Sequence, residues 1–190
     1  NRLFSKADGM PMFRMRSAMP RCSRRHWAAF TCTRLAGFEA RLLGTDPCWP
    51  EALAAKYGIE RRELNELLAE SDIVCVHCPL DETTAGFIGK AELALMKPSA
   101  LLVNMARGGI VDEDALYETL RGKVISGAII DAYSQEPLTA SPLFSLDNVI
   151  LSPHAGAFTT DALNAMSRMS VDQLFQYVDG ATPDNLVTAE

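Results

Sequence analysis

A chain of 190 residues with 48% hydrophobic and 22% charged content is long enough to bury one core of domain size, and two full domains would crowd it. The formal net charge of -6 excludes a broadly basic nucleic-acid-binding surface. No run approaches the ~20 apolar residues of a membrane span, and no apolar run follows the basic start as in a secretory signal, so the expected compartment is the cytosol.

The charge is uneven along the chain. Residues 1–34 hold eight Lys/Arg and one acid, whereas residues 35–190 hold ten basic and 23 acidic groups. Residues 1–30 are therefore expected to be an atypical basic head, disordered or frame-shifted, ahead of an acidic domain over 31–190 that includes a C-terminal helix. An Arg-rich, acid-poor start also fits an organelle presequence. Cysteines at 22, 32, 48, 75 and 78 are odd in number and lack the spacing of a secreted disulfide framework, which points to reduced thiols.

From about residue 40, short apolar runs alternate with helix-patterned segments, as in a parallel sheet with crossover helices. Residues 40–46 (ARLLGTD) read as a strand ending on Asp46 and closed by Pro47. Residues 61–70 read as a helix with Leu64, Leu67 and Leu68 on one face. Residues 73–77 (IVCVH) read as a strand apolar throughout, as expected when both faces are covered, and Pro79 ends it. A short helix over 90–96 stops at Lys97-Pro98, and a strand follows over 100–104. The segment 112–121 opens on acids and ends on Arg121 and Gly122, matching helix-dipole and C-terminal preferences. Strands are predicted over 124–130, ending on Asp131, and over 148–151, before Pro153-His154. A last helix is predicted over 160–178, closing at Gly180. In open parallel sheets ligands bind beyond the carboxyl ends of the strands, so function is expected around Asp46, His77, Asn104, Asp131 and His154.

At Asn104-Met105-Ala106-Arg107-Gly108-Gly109 a strand end meets a glycine pair, which admits close backbone approach while Arg107 projects, and Arg is a bidentate clamp for carboxylates. The bland reading is a turn with a solvated Arg. Residues 131–137 (DAYSQEP) and 152–157 (SPHAGA) add Glu136 and His154 at successive strand ends. A carboxylate beside a His raises its pKa and holds one tautomer, which suits a group exchanging a proton near neutral pH. Taken singly, His154 could be a loop histidine capping a helix, Glu136 a surface acid before a proline and Asp46 a turn acid before Pro47. The joint placement of Arg107, Glu136 and His154 just past strands argues against accident, and the place of Asp46 after an apolar strand favours a functional role for it. Cys75-Val76-His77-Cys78 invites a redox or zinc reading, but one C-x-x-C inside a strand sends alternate residues to opposite faces and lacks a second ligand pair, so no metal is expected. Met166 and Met169 fit a core-facing helix stripe.

The segments 104–112 (NMARGGIVD), 131–137 and 152–157, with His77-Cys78-Pro79-Leu80 and Thr83-Thr84, together resemble the D-2-hydroxyacid dehydrogenase family over roughly residues 35–187. The resemblance implies a Rossmann-type doubly wound parallel sheet of α/β class and NAD as cofactor. It makes His154 the acid/base group, Glu136 its tuner, and Arg107 the group that orients the substrate carboxylate and polarises the 2-oxo oxygen. Asp131 would hold the nicotinamide carboxamide and Asp46 the adenosine ribose hydroxyls, where a negative charge favours NAD over a 2'-phosphate. Pro47, His77, Cys78, Pro79, Thr84, Asn104, Ala106, Arg107, His154 and Gly156 would complete the cofactor lining. A small 2-hydroxyacid or 2-oxoacid is the implied partner, with a homodimer as the implied assembly.

Two departures from the family pattern qualify these expectations. The family opens this domain with G-x-G-x-x-G about 20 residues before the ribose-binding acid, yet residues 21–28 (RCSRRHWA) contain no glycine. Read one nucleotide later, the Trp27–Ala28 junction must encode Gly and residues 24–26 can encode Gly-Ala-Ile, so the first strand and phosphate loop are expected to be lost or damaged by a shifted frame. The family's substrate-binding domain is also expected to be largely absent, leaving half a substrate pocket. The alternative reading is a catalytically inactive homologue retained as a dinucleotide-binding regulatory module.

Overall fold

The computed structural model describes residues 13–16 and 26–183. Most of the basic head, and residues 21–25 of the expected phosphate-loop stretch, lie outside the described residues. Two compact units divide the chain, one up to Pro153 and the other from His154.

The first unit is built on a five-stranded sheet in the order β1-β4-β5-β6-β7. Its strands are β1 (Phe13–Arg16), β4 (Ile73–Val76), β5 (Leu101–Asn104), β6 (Gly127–Ile130) and β7 (Val149–Leu151), and every pairing is parallel. A separate two-stranded parallel sheet joins β2 (Leu43–Gly44) to β3 (Glu60–Arg61). Helices α1 (His26–Leu35), α2 (Glu51–Tyr57), α3 (Leu64–Glu70), α4 (Lys90–Leu95) and α5 (Glu113–Arg121) connect the strands. The second unit is α6 (Thr160–Val178) with its flanking turns.

Alternation along the central strands divides the core. Val74 and Val76 of β4, Leu102 of β5 and Ala128 and Ile130 of β6 pack with Leu67, Leu68, Leu93, Leu116 and Leu120 of the helices in one cluster. Cys75, between the two valines, packs instead with Cys32, Leu35, Ala40, Leu42, Tyr57 and Ile59. A sheet clothed on both faces explains why β4 and β6 are apolar at nearly every position. Each fully buried leucine contributes roughly 2 kcal/mol by the apolar area it removes from water.

Local signals fix the ends of the helices. Asp112 caps α5 by accepting from the Ala115 N–H at 3.0 Å, and Leu116 and Leu120, one turn apart, are buried beneath it. The 104–112 segment is laced to the loop before α4: Gly86 N–H donates to Gly109 O at 2.8 Å, and Asp112 N–H donates to Ile88 O at 3.0 Å. Glu60 of β3 accepts two 2.6 Å hydrogen bonds from Arg41 and one from Arg62, and both arginines also reach Glu70 of α3. The paired guanidinium of Arg41, hydrogen-bonded to it, is the first reason the Glu60 carboxyl is lowered to about 2. This network is partly exposed, so solvent screening weakens it.

The sequence expectations for α3, α4, α5 and α6 agree with the structure within about two residues at each end, apart from the late start of α3 at Leu64. The strand expected over 40–46 is shorter, because only Leu43 and Gly44 pair with β3. The strand expected from 124 begins at Gly127, since Lys123 and Val124 hydrogen-bond back onto the end of α5 at Leu120 and Thr119. Helix α2 was not expected. Its signal is present in Pro50, the good helix formers of 51–57 and the left-handed Gly58 at its carboxyl end.

Candidate active site

The parallel pairing of β4 to β7 sends the chain out of the sheet at a common edge, where His77, Asn104, Asp131 and Ser152 follow the last residues of their strands or end them. Asn104, 2% exposed, shapes the turn beyond β5. Its Oδ1 accepts from Ala106 N–H at 3.1 Å and its Nδ2 donates to Arg107 O at 3.0 Å. The Arg107 guanidinium is exposed and donates through Nη1 to Ala106 O at 2.6 Å.

Gly108 joins this turn to the next. A Cβ on Gly108 would lie 1.8 Å from the carbonyl carbon of Tyr133 and 1.9 Å from its oxygen, so the two loops touch backbone to backbone. Residues 131–137 are in turn held from several directions. The Tyr133 hydroxyl lies 2.9 Å from Ile130 O and 2.8 Å from Ser152 O, and burial raises its pKa. Ser152 Oγ donates to Asp131 Oδ1 at 2.6 Å, so an acid after β6 and a hydroxyl after β7 are locked together. Glu136 Oε1 accepts from the Tyr133 N–H at 3.0 Å, which turns its carboxylate toward its own loop. The structure thus brings Arg107's turn against the loop bearing Asp131 and Glu136.

The 77–84 turn is self-contained. Thr84 is 3% exposed, and its hydroxyl donates to Pro79 O at 2.7 Å and accepts from Asp81 N–H at 2.8 Å. Its role is to hold the turn that carries His77 and Pro79. Hydrogen bonds led by the Thr83 hydroxyl hold the Asp81 carboxyl below its ordinary pKa. Cys78 is buried in the larger core cluster, while Cys75 packs in the smaller one, where burial raises its thiol to about 11. The C-x-x-C thiols therefore enter different clusters, and no group of three or more metal-ligating side chains occurs among the described residues.

Asp46, 4% exposed, follows β2 on the smaller sheet, and its Oδ1 accepts from the Cys48 N–H at 2.7 Å. Pro47 beside it is exposed. His154 opens the second unit with a left-handed φ of 54°, and Gly156 in the same turn is exposed.

Residues at this edge fit a dinucleotide. His77 Nε2 is buried with no hydrogen-bond partner among the described residues, an arrangement that leaves it able to meet a bound polar group. Burial lowers the His77 imidazole to about 4, so it meets such a group as a neutral ring. Asp46 and Asp131 supply buried carboxylates beyond two strands. Sequence reasoning gave no role to Glu113, Tyr133 or Ser152, and it read Gly108 as a point of close backbone approach without naming Tyr133 as what approaches. Only the glycine pair carried a usable signal.

Residues 28–156 match the family model for the NAD binding domain of D-isomer specific 2-hydroxyacid dehydrogenases. The match starts at residue 28, the last of the glycine-free stretch 21–28. A D-3-phosphoglycerate dehydrogenase of Methanocaldococcus jannaschii is 39% identical over 155 residues, 81% of this chain and 30% of the relative. A glyoxylate reductase of Korarchaeum cryptofilum is 39% identical over 163 residues, 85% of this chain and 49% of the relative. Among solved structures, D-lactate dehydrogenase with NAD+ from Lactobacillus jensenii superposes with a TM-score of 0.81 at 25% identity, covering 93% of this chain and 56% of that one. The chain spans about half, or less, of the length of the relatives it matches.

Proposed function

Because the chain belongs to the D-isomer specific 2-hydroxyacid dehydrogenases as their NAD binding domain, we propose that it serves hydride exchange between NAD and C2 of a small D-2-hydroxyacid or its 2-oxoacid. NAD, when bound, supplies the redox chemistry. Arg107 binds the substrate carboxylate and places positive charge near the 2-oxo oxygen, where negative charge grows during reduction. His154 takes the hydroxyl proton in oxidation and returns it in reduction, and Glu136 has the tuning role that the family resemblance implies. Asp131 receives the nicotinamide carboxamide, and Asp46 receives the ribose hydroxyls while repelling a 2'-phosphate. Pro47, His77, Cys78, Pro79, Thr84, Asn104, Ala106 and Gly156 line the cofactor. The setting is the cytosol and the assembly a homodimer.

The observation that carries this reading is the backbone contact of Gly108 with Tyr133, which joins the Arg107 turn to the loop of Asp131 and Glu136. Titration with NADH, followed by its fluorescence, tests the binding half, and oxidation of NADH by glyoxylate, pyruvate and longer 2-oxoacids tests the chemistry. The expected result is saturable binding and a slow turnover that His154→Asn lowers by a further factor of about 10² or more. Absence of NADH binding overturns the proposal. Binding without turnover by any 2-oxoacid favours the regulatory homologue instead.

A further inference from the structure

Three acids, Asp112, Glu113 and Asp114, open α5, and the first two do different work. Asp112 is engaged by its own helix through the Ala115 N–H. Glu113 reaches outward, and its Oε1 accepts from the Ser134 N–H at 2.6 Å and from the Ser134 Oγ at 2.8 Å, 21 residues further along the chain. Ser134 lies between Asp131 and Glu136, and α5 continues directly from the turn of Arg107, Gly108 and Gly109. The Tyr133–Ser134 peptide is consequently clamped twice: Gly108 bears on its carbonyl and Glu113 binds its N–H. A carboxylate in the first turn of α5 also suits the positive end of the helix dipole.

We infer that Glu113 is a positioning residue that sets the spacing between the loop carrying Arg107 and the loop carrying Asp131 and Glu136. The inference rests on the roles proposed above for those three groups. Glu113 touches neither substrate nor cofactor in this assignment. Since Asp112 already caps α5, removing the Glu113 carboxylate leaves the helix its cap and releases the loop alone.

The test compares the unaltered chain with Glu113→Ala and Glu113→Gln by residue-resolved amide exchange, urea unfolding and NADH titration. In Glu113→Ala the Ser134 amide is expected to exchange about tenfold faster, as for loss of one charge-assisted hydrogen bond, while β5 and β6 amides and the unfolding midpoint stay unchanged. NADH affinity is expected to fall about three- to tenfold. Glu113→Gln keeps a carbonyl acceptor and is expected to regain most of both. Unchanged exchange at Ser134 overturns the inference. So does faster exchange spread evenly through β5 and β6 with a lower midpoint, which marks a structural acid only. A loop released without any change in NADH affinity, in a chain that binds NADH, overturns the inference alone. Failure of the unaltered chain to bind NADH overturns the proposed function, and with it the functional part of this inference.

Discussion

At the residue scale, His77 holds an imidazole that burial lowers from 6.5 to about 4. The unfolded chain takes up this proton as pH falls through about 6.5, whereas the folded chain resists it until about 4. The folded state thus binds fewer protons across that window, and stability falls as pH drops from 6.5 to 4 and is flat in this group outside it. The loss is at most about 3 kcal/mol, reduced by the partial exposure of the ring. Urea unfolding at pH 7.5, 5.5 and 4.5 checks this, and His77→Leu is expected to flatten the trend. A slope unchanged in His77→Leu would assign the acid sensitivity to other groups. The sequence marked His77 as a strand-end residue. It did not disclose that Nε2 lacks a partner among the described residues, which depends on what the fold packs around the ring.

At the scale of elements, the loops beyond β5 and β6 act as a pair. Gly108 permits an approach that no side chain allows, since a Cβ would fall within 1.8 Å of the Tyr133 carbonyl carbon. Gly108→Ala must therefore push the loops apart, and a loss of about 2–4 kcal/mol is expected together with weakened NADH binding. Denaturant unfolding that shows a lower midpoint at an unchanged slope would agree, and a variant as stable as the parent would mean that the loops yield freely. The helices were legible because α3 and α5 bury Leu67, Leu68, Leu116 and Leu120 at helical spacing and carry their own stops. Strand β2 was legible only as a longer strand over 40–46 and β3 was not legible, because two-residue pairings leave no period to read.

At the scale of the whole molecule, a ligand that binds only the folded state raises stability in proportion to the logarithm of its concentration. NADH at about a hundred times its dissociation constant is expected to add about 2.7 kcal/mol to unfolding, and NADPH at the same concentration clearly less, because Asp46 faces the 2'-position in the proposed pose. Equal stabilisation by both would remove that role from Asp46. The sequence by itself determined the parallel α/β class, the family and the strand ends at which the chemistry-bearing residues stand, because apolar period and loop motifs are local properties of the chain. Tertiary structure alone decided which of those loops touch, that Thr84 is turned inward to its own turn, that Glu113 binds Ser134 across 21 residues and that Tyr133 binds Ser152 across 19. Such contacts arise from the register of parallel strands and from atoms brought within a few ångströms, and sequence spacing does not encode distances of that kind.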